Sequence, residues 1–408
     1  MNVDEPIGII ELGNKNIKCL ILKINKNDTE ILSTSITPSE GFHNDTVVNL
    51  SKATSTIRSS IGDAEKKAKV SLKKINVVFE QPDFLCTKFS KHKKIDGSKI
   101  QKEDIEFLLN EAKKDLIHND KKQSIIHIFN HNYIVDRKNF VEEPIDVYAD
   151  KLTHEITFIT IPKNNLKNIN QVFINCDIEI EKLISRNFAM GVQMLNNKDL
   201  QFGSAIVELG FEKTSIVVFK NLAIVNSITF PIGTNHITKD ISKVCSLDLE
   251  ESEKIINSID FSFEKNQKMF DENNYLKNDF FINSNFRKIS KNLILSVIKA
   301  RLDEIFEELK KQMIIPGFNL SSGFQLFIAG DGSNLSRIEK YFINFFKINV
   351  KRLNQNLKEE NKQLKKDFAL CLGALKIIKD GWETEAIPQA GHRDLEKRGF
   401  LAKIFGIR

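Results

Sequence analysis

Cysteine is sparse in this 408-residue chain, with five in all (Cys19, Cys86, Cys176, Cys245 and Cys371). They are scattered and form no C-x-x-C pair, which argues against a disulfide framework or a zinc site and fits a reducing compartment. Charge of one sign is also scarce, since 60 Lys and Arg nearly balance 54 Asp and Glu. No dense basic patch carries interleaved aromatics, so nucleic acid is not an expected partner. No long hydrophobic run is present either. The opening Met1-Asn2-Val3-Asp4-Glu5-Pro6 is acidic where an export signal would be basic, and Gly8, Glu11 and Gly13 interrupt the first apolar stretch. Neither an export signal nor a membrane span is expected there. Tyrosine and tryptophan are rare (4 and 1), whereas Lys, Asn, Ile and Phe abound, a drift towards A/T-rich codons.

What is present is an ordinary globular balance, 41% hydrophobic and 28% charged, on a chain long enough for two lobes. The informative feature is an internal echo: IGIIELGNKNIKCLIL at 7–22 and SAIVELGFEKTSIVVF at 204–219. Each is a β-rich run, then Glu-Leu-Gly, a short polar loop and a second β-rich run. Both predict strand–turn–strand hairpins, with glycine permitting the tight turn. Two unrelated hairpins are the alternative.

Between them, strand-like alternation at 75–90 precedes a helix pattern at 101–116, with Ile105, Leu108, Leu109 and Ala112 on one face. SIIHIFNHNYIVD and HEITFITI then read as strands. This order suggests a small inserted α+β subdomain. A helix from Asn165 and a strand at 178–184 lead to the second hairpin. Helices are predicted at 235–244, 249–258 and 287–313, the last with Ile294, Ile298, Leu302, Ile305 and Leu309 along one side. The strand FQLFIAG runs into Asp331-Gly332-Ser333-Asn334, which is read as opening a helix through Phe346; a small-residue helix spans 368–378.

Two glycine hairpins and one strand–glycine junction at Ala329-Gly330-Asp331-Gly332 could together cradle a nucleotide. Backbone N–H groups in a tight glycine turn converge on an anion, and the missing side chain lets a phosphate approach. Glu11 and Glu208, at the ends of the first strands, are placed to hold Mg²⁺ through water.

Over nearly its whole length the chain resembles the FtsA family of actin-like cell-division proteins. Glu11, Leu12, Gly13 and Asn14 resemble its first phosphate element, and Glu208-Leu209-Gly210 the second. PIGTNHITKDI (231–241) resembles the stretch that follows, and IAGDGSNLSRIE the adenosine motif. The insert matches the family's own subdomain in position and order.

The resemblance implies an α/β, actin-like (ribonuclease H-like) two-lobe fold, with the insert and a C-terminal amphipathic helix. It divides the chain into a first-lobe core (1–81 and 163–200), the insert (82–162) and a second-lobe core (201–236 and 319–365). An outer subdomain (237–318), a closing helix (366–380), a linker (381–394) and a terminal helix (395–408) complete it. ATP with Mg²⁺ would be bound by Glu11, Gly13, Asn14 and Lys15, by Glu208, Gly210, Lys213 and Thr214, and by Gly233, Glu253, Gly330, Asp331 and Gly332. The pattern departs from the family at the second turn, where Phe211, Glu212 and Lys213 replace glycines and Ser215 the closing acid. It departs again at Asp331, which replaces a glycine, and at Ile256, where the family has lysine. Given these departures, binding without rapid hydrolysis is the expectation, with an actin fold whose pocket has decayed as the alternative.

At the end of the chain, LEKRGFLAKIFGIR gathers Phe400, Leu401, Ile404, Phe405 and Ile407 on one helical side. Lys397, Arg398 and Lys403 flank that side. Eleven residues reach only about 16 Å, too short to span a bilayer but able to lie in anionic headgroups. Docking on its own domain is the alternative. The resemblance makes this tail a membrane-targeting helix at the cytoplasmic face of the inner membrane. VIKARLDEI resembles the family's run that receives the C-terminal peptide of FtsZ, making Arg301 and Glu304 partner-binding candidates, with a solvated ion pair as the alternative. Filament formation and contacts with later division proteins are likewise implied. Two rivals remain: a PilM-like pilus-assembly adaptor, and a sugar kinase of the same superfamily.

Overall fold

The computed structural model describes residues 5–25, 28–140, 142–261, 269–313, 324–352 and 367–380. The predicted linker and amphipathic tail, with Lys397, Arg398, Phe400, Leu401, Lys403, Ile404, Phe405 and Ile407, lie outside the described residues. The described residues fall into two compact units, those within 1–202, 219–227 and 355–408 and those within 203–218 and 228–354.

The first unit begins with β1 (Ile7–Glu11), β2 (Asn16–Asn25) and β3 (Asp28–Pro38). The short pair β4 (Phe42–His43) and β5 (Thr46–Val47) and helix α1 (Leu50–Ala68) follow, then β6 (Lys74–Phe79). Asn49 caps α1 by accepting from Lys52 N–H. After the insert come α3 (Lys163–Ile174), β11 (Glu179–Ser185), α4 (Arg186–Met194) and α5 (Asn197–Phe202). The sheet has the order β11-β6-β1-β2-β3. β1, β6 and β11 run parallel, and the hairpin partner β2 is antiparallel to β1. The core strands are apolar almost throughout, as parallel strands covered on both faces should be; Ile9, Ile10, Val77, Leu183 and Ile184 are fully buried.

The insert is β7 (Leu85–Lys99), α2 (Lys102–Asn119), β8 (Gln123–Val135), β9 (Lys138–Phe140) and β10 (Tyr148–Pro162), in sheet order β7-β10-β8-β9. Ile105, Leu108, Ala112 and Leu116 of α2 pack on this sheet in two clusters with Tyr133, Leu152, Ile156 and Phe158. The alternation read through 75–90 is broken between β6 and β7. There Phe84 N–H bonds Gln81 O, while Glu80 N–H and the Gln81 side-chain amide are held by Asp45.

Next in the chain come β12 (Ser204–Leu209), β13 (Thr214–Lys220) and β14 (Ala223–Phe230), of which residues 219–227 fall in the first unit, and then α6 (Thr234–Cys245), α7 (Leu249–Ser258) and α8 (Lys291–Met313) of the second unit. β15 (Gln325–Ala329), α9 (Ile338–Phe346) and β16 (Val350–Arg352) complete it, in sheet order β14-β13-β12-β15-β16. Ile294, Ile298, Leu302, Ile305 and Leu309 of α8 are fully buried.

One expectation is corrected here: Asp331 does not open the helix through Phe346. Residues Asp331–Asn334 form a 3-10 turn, closed by the Ser333 N–H and hydroxyl on Gly330 O. Arg337, left-handed at φ 59°, separates it from α9. The last described helix, α10 (Ala369–Asp380), belongs to the first unit and packs on α4.

Candidate nucleotide-binding site

Each unit ends a parallel strand pair on a Glu-Leu-Gly turn, the side of an open sheet where ligands gather. In the first unit Glu11 pairs with Lys18 across β2 and with Val78 across β6. Gly13 is required by close approach, because a Cβ there would lie 2.7 Å from Asn16 O. Leu12 is buried and donates its N–H to Val78 O, while Asn14 and Lys15 are exposed. Asn14 Nδ2 donates to Asn44 Oδ1 at 3.0 Å.

Glu11 is only 3% exposed, and its carboxylate faces two cations. Arg186, the first residue of α4, donates from a terminal guanidinium nitrogen to Oε1 at 3.1 Å, and Lys18 Nζ lies 3.7 Å from Oε2. Lys18 also donates to Asp367 O at 2.7 Å. Beside them, at the ends of β6 and β11, Glu80 Oε2 accepts from Ser185 Oγ at 2.6 Å and Asn187 N at 3.3 Å. Ser185 N–H in turn donates to Nε2 of the buried His127, whose pKa is pushed down to about 3 by burial and by Lys182. Sequence reading missed Arg186, Glu80 and His127, because their contacts join positions far apart in the chain, and it also missed Lys18, which the β1–β2 hairpin sets opposite Glu11.

In the second unit β12 and β15 are parallel, with Glu208 opposite Ala329. The structure brings Glu208, Gly210, Gly233, Gly330 and Gly332 together around Leu209 and its turn. A Cβ at Gly332 would meet Leu209 Cγ at 2.5 Å, and one at Gly233 would meet Phe211 O at 2.4 Å. Gly330 has φ +80° and would place a Cβ 2.7 Å from Leu209 O. These glycines are therefore demanded by the packing of three turns on one another. Thr214 is buried and donates to Ile232 O at 2.6 Å. The first N–H groups of α6 are used within the protein, Thr234 N on Gly210 O and Asn235 N on Phe211 O, both at 2.9 Å.

Glu212, whose charge would oppose a phosphate, is held by Asn235 Nδ2 at 2.7 Å and Lys239 Nζ at 3.8 Å. Phe211 projects into solvent at 52% exposure, Lys213 is half-buried, and Asp331 is exposed. On α7, Glu253 lines a shallow hollow of about 340 Å³ with Glu250, Lys254, Asn257, Ser258 and Ile282. Ile256 is 4% exposed and faces the core. A lysine at that position of α7 would be buried, and the cation available to the hollow is Lys254.

On α8, Arg301 is engaged with α6: Nε donates to Asp240 Oδ2 at 2.6 Å and a terminal nitrogen to Oδ1 at 3.1 Å. Its other terminal nitrogen reaches Glu304 Oε2.

A water-held magnesium ion needs a carboxylate oxygen able to accept from its water ligands; Glu11 Oε1 accepts from Arg186, while Oε2, 3.7 Å from Lys18, is buried without a hydrogen-bond partner. Among the described residues no group of three or more His, Cys, Asp and Glu side chains could hold a metal. At the second turn the Gly210 N–H is donated to Lys213 O, and the Glu212 charge is met by Asn235 and Lys239. Among the described residues no helix is long and apolar enough to cross a membrane.

Two family models match the chain. "Cell division protein FtsA" matches residues 205–373, and "SHS2 domain inserted in FTSA" matches 85–160, together over half the chain. The chain is 26% identical over 247 residues to the cell division protein FtsA of Buchnera aphidicola subsp. Schizaphis graminum, covering 60% of this chain and 59% of that protein. It is 24% identical over 334 residues to the FtsA of Bacillus subtilis, covering 80% and 74%. A solved PilM–PilN type IV pilus biogenesis complex matches 91% of this chain and 98% of that chain, with TM-score 0.60 and 12% identity. That likeness concerns the fold, which is of the actin-like ATPase class.

Proposed function

The chain belongs to the FtsA family of cell-division proteins, and from that premise we propose that it is a nucleotide-binding adaptor tying the FtsZ ring to the inner membrane. Its terminal helix at 395–408 would lie in anionic headgroups as a peripheral anchor. One short helix binds weakly, so filament formation would strengthen attachment through many tails acting together. The α8 face bearing Arg301 and Glu304 would receive the FtsZ C-terminal peptide, and the insert would contribute to filament contacts and to recruitment of later division proteins.

The observation that carries this reading is the β7–β10 insert inside the first unit, at the residues matched by the model of the SHS2 domain inserted in FtsA. ATP binding is supported by the paired glycine turns, while hydrolysis is not part of the proposal. The PilM likeness, at 12% identity, concerns the fold and does not favour pilus assembly over division.

Deletion of residues 395–408 from the tagged protein tests the proposal. Loss of binding to anionic liposomes and of midcell localisation is expected. Unchanged localisation would speak for the pilus-type adaptor, whose attachment needs no lipid-binding tail.

A further inference from the structure

A glycine turn beside a helix N-terminus is a natural receiver for a phosphate, because N–H groups from both converge on one point. In the second unit the Gly210 turn and the start of α6 are such a pair, but their N–H groups are used on each other. Thr234 N–H donates to Gly210 O and Asn235 N–H to Phe211 O, both at 2.9 Å, and His236 N–H donates to Gly233 O at 3.1 Å. The Gly210 N–H goes to Lys213 O at 3.0 Å, and the Gly233 N–H to His236 Nδ1 at 3.1 Å. The space between turn and helix is closed as well. A Cβ on Gly233 would lie 2.4 Å from Phe211 O and 2.6 Å from Gly210 O, so carbonyl oxygens stand where a phosphate would bring its own.

The negative charge at this turn also comes from within the chain. Glu212 Oε1 accepts from Asn235 Nδ2 at 2.7 Å, and Oε2 lies 3.8 Å from Lys239 Nζ, one helical turn further along α6. The dipole of α6 favours an anion beside its first turn, and the Glu212 carboxylate takes that place. A phosphate arriving there would have to displace it or meet its charge at close range. We infer that Glu212 is a built-in anion that closes the second turn to phosphate, so that this chain binds ADP and ATP alike. The inference rests on the nucleotide-binding reading and adds to it which part of the ligand is read. With the phosphates left to the first glycine turn alone, the one that ATP has and ADP lacks gains no receiver. Glu212 is thus a specificity-determining residue: it removes discrimination between the two nucleotides.

The test is calorimetric titration of the full-length protein with ATP and, separately, with ADP, both in excess Mg²⁺. For the wild type the two dissociation constants are expected to agree within about threefold. Glu212→Gln keeps an acceptor for Asn235 and removes only the charge, so the fold is retained; ATP is expected to bind at least about threefold tighter than ADP to this variant. Phe211→Gly combined with Glu212→Gly opens the turn further and should raise that preference to about tenfold. A wild type that prefers ATP by more than threefold would overturn the inference and leave nucleotide binding intact. Equal binding of ATP and ADP by both variants, each shown to melt cooperatively, would also overturn it, because Glu212 would then not be what closes the turn. No heat with either nucleotide, from wild-type protein that melts cooperatively, would remove the inference together with the nucleotide-binding reading.

Discussion

Arg301 and Asp240 form a two-point clamp, with Nε to Oδ2 at 2.6 Å and a terminal nitrogen to Oδ1 at 3.1 Å, joining α8 to α6. Both side chains are largely covered, at 23% and 30% exposure. The residue proposed for peptide recognition therefore also holds its own helix in place. Arg301→Glu would set three carboxylates against one another and should destabilise the protein by about 1–3 kcal/mol, alongside weaker binding of the FtsZ tail peptide. Chemical denaturation and peptide titration on the same sample separate the two effects. Unchanged peptide affinity would remove Arg301 from the binding surface without touching its role in the clamp.

Glu251 of α7 occupies a nest of donors. Its Oε1 accepts from the backbone of Ile282, Asn283 and Ser284, and its Oε2 from Asp248 N–H and the Ser284 hydroxyl. Burial pushes its pKa up, but these hydrogen bonds outweigh it and hold the carboxyl at about 2. Because the folded value lies below the unfolded one, the stabilisation is complete above about pH 4.5 and fades as pH falls towards 2. Glu251→Gln should cost roughly 2–3 kcal/mol near neutrality, and the gap from wild type should shrink in acid. Denaturation midpoints measured down to about pH 3 would check this; a gap independent of pH would contradict it.

His127 behaves differently, although its pKa is also depressed. It is neutral, fully buried and accepts from Ser185 N–H. In the unfolded chain it takes a proton near pH 6.5, whereas in the fold it does so only near 3. Stability is thus lost as pH falls below 6.5, with a limiting slope of about 1.4 kcal/mol per pH unit. His127→Gln keeps an acceptor for Ser185 and should flatten that slope between about pH 6.5 and 5, a window above the range in which Glu251 titrates. An equal slope in wild type and variant would refute the assignment.

Gly373 of α10 lets that helix cross α4 at backbone distance, since a Cβ would lie 2.1 Å from Ala189 O. A methyl there meets backbone, which cannot step aside as a flexible side chain can. Gly373→Ala should therefore destabilise by about 2–3 kcal/mol, towards the upper end for overpacking. Gly62 of α1, with nothing near its Cβ position, is the control: Gly62→Ala should be neutral or stabilising. Thermal melts of the two variants side by side test the contrast.

The hairpins, the insert's order and the buried stripe of α8 were legible because their signals are local. Alternation marks a strand, a glycine after it marks the turn, and a 3.6-residue period marks a helix. The Asp331 turn was misread for a related reason. A strand followed by small residues looks the same whether the next bend is a helix start or a 3-10 turn closed on Gly330.

From sequence alone came the strand–Glu-Leu-Gly–strand echo and the residue types able to surround a phosphate. Tertiary structure alone decided which charges meet. Glu11 and Arg186 are 175 positions apart and Arg301 and Asp240 are 61 apart, while Glu212 and Lys239 meet across a shorter stretch of chain. Propensity and periodicity act over one or two turns of chain. Charge balance at a site depends on distances of a few ångströms between side chains that only the folded sheet and its helices bring together.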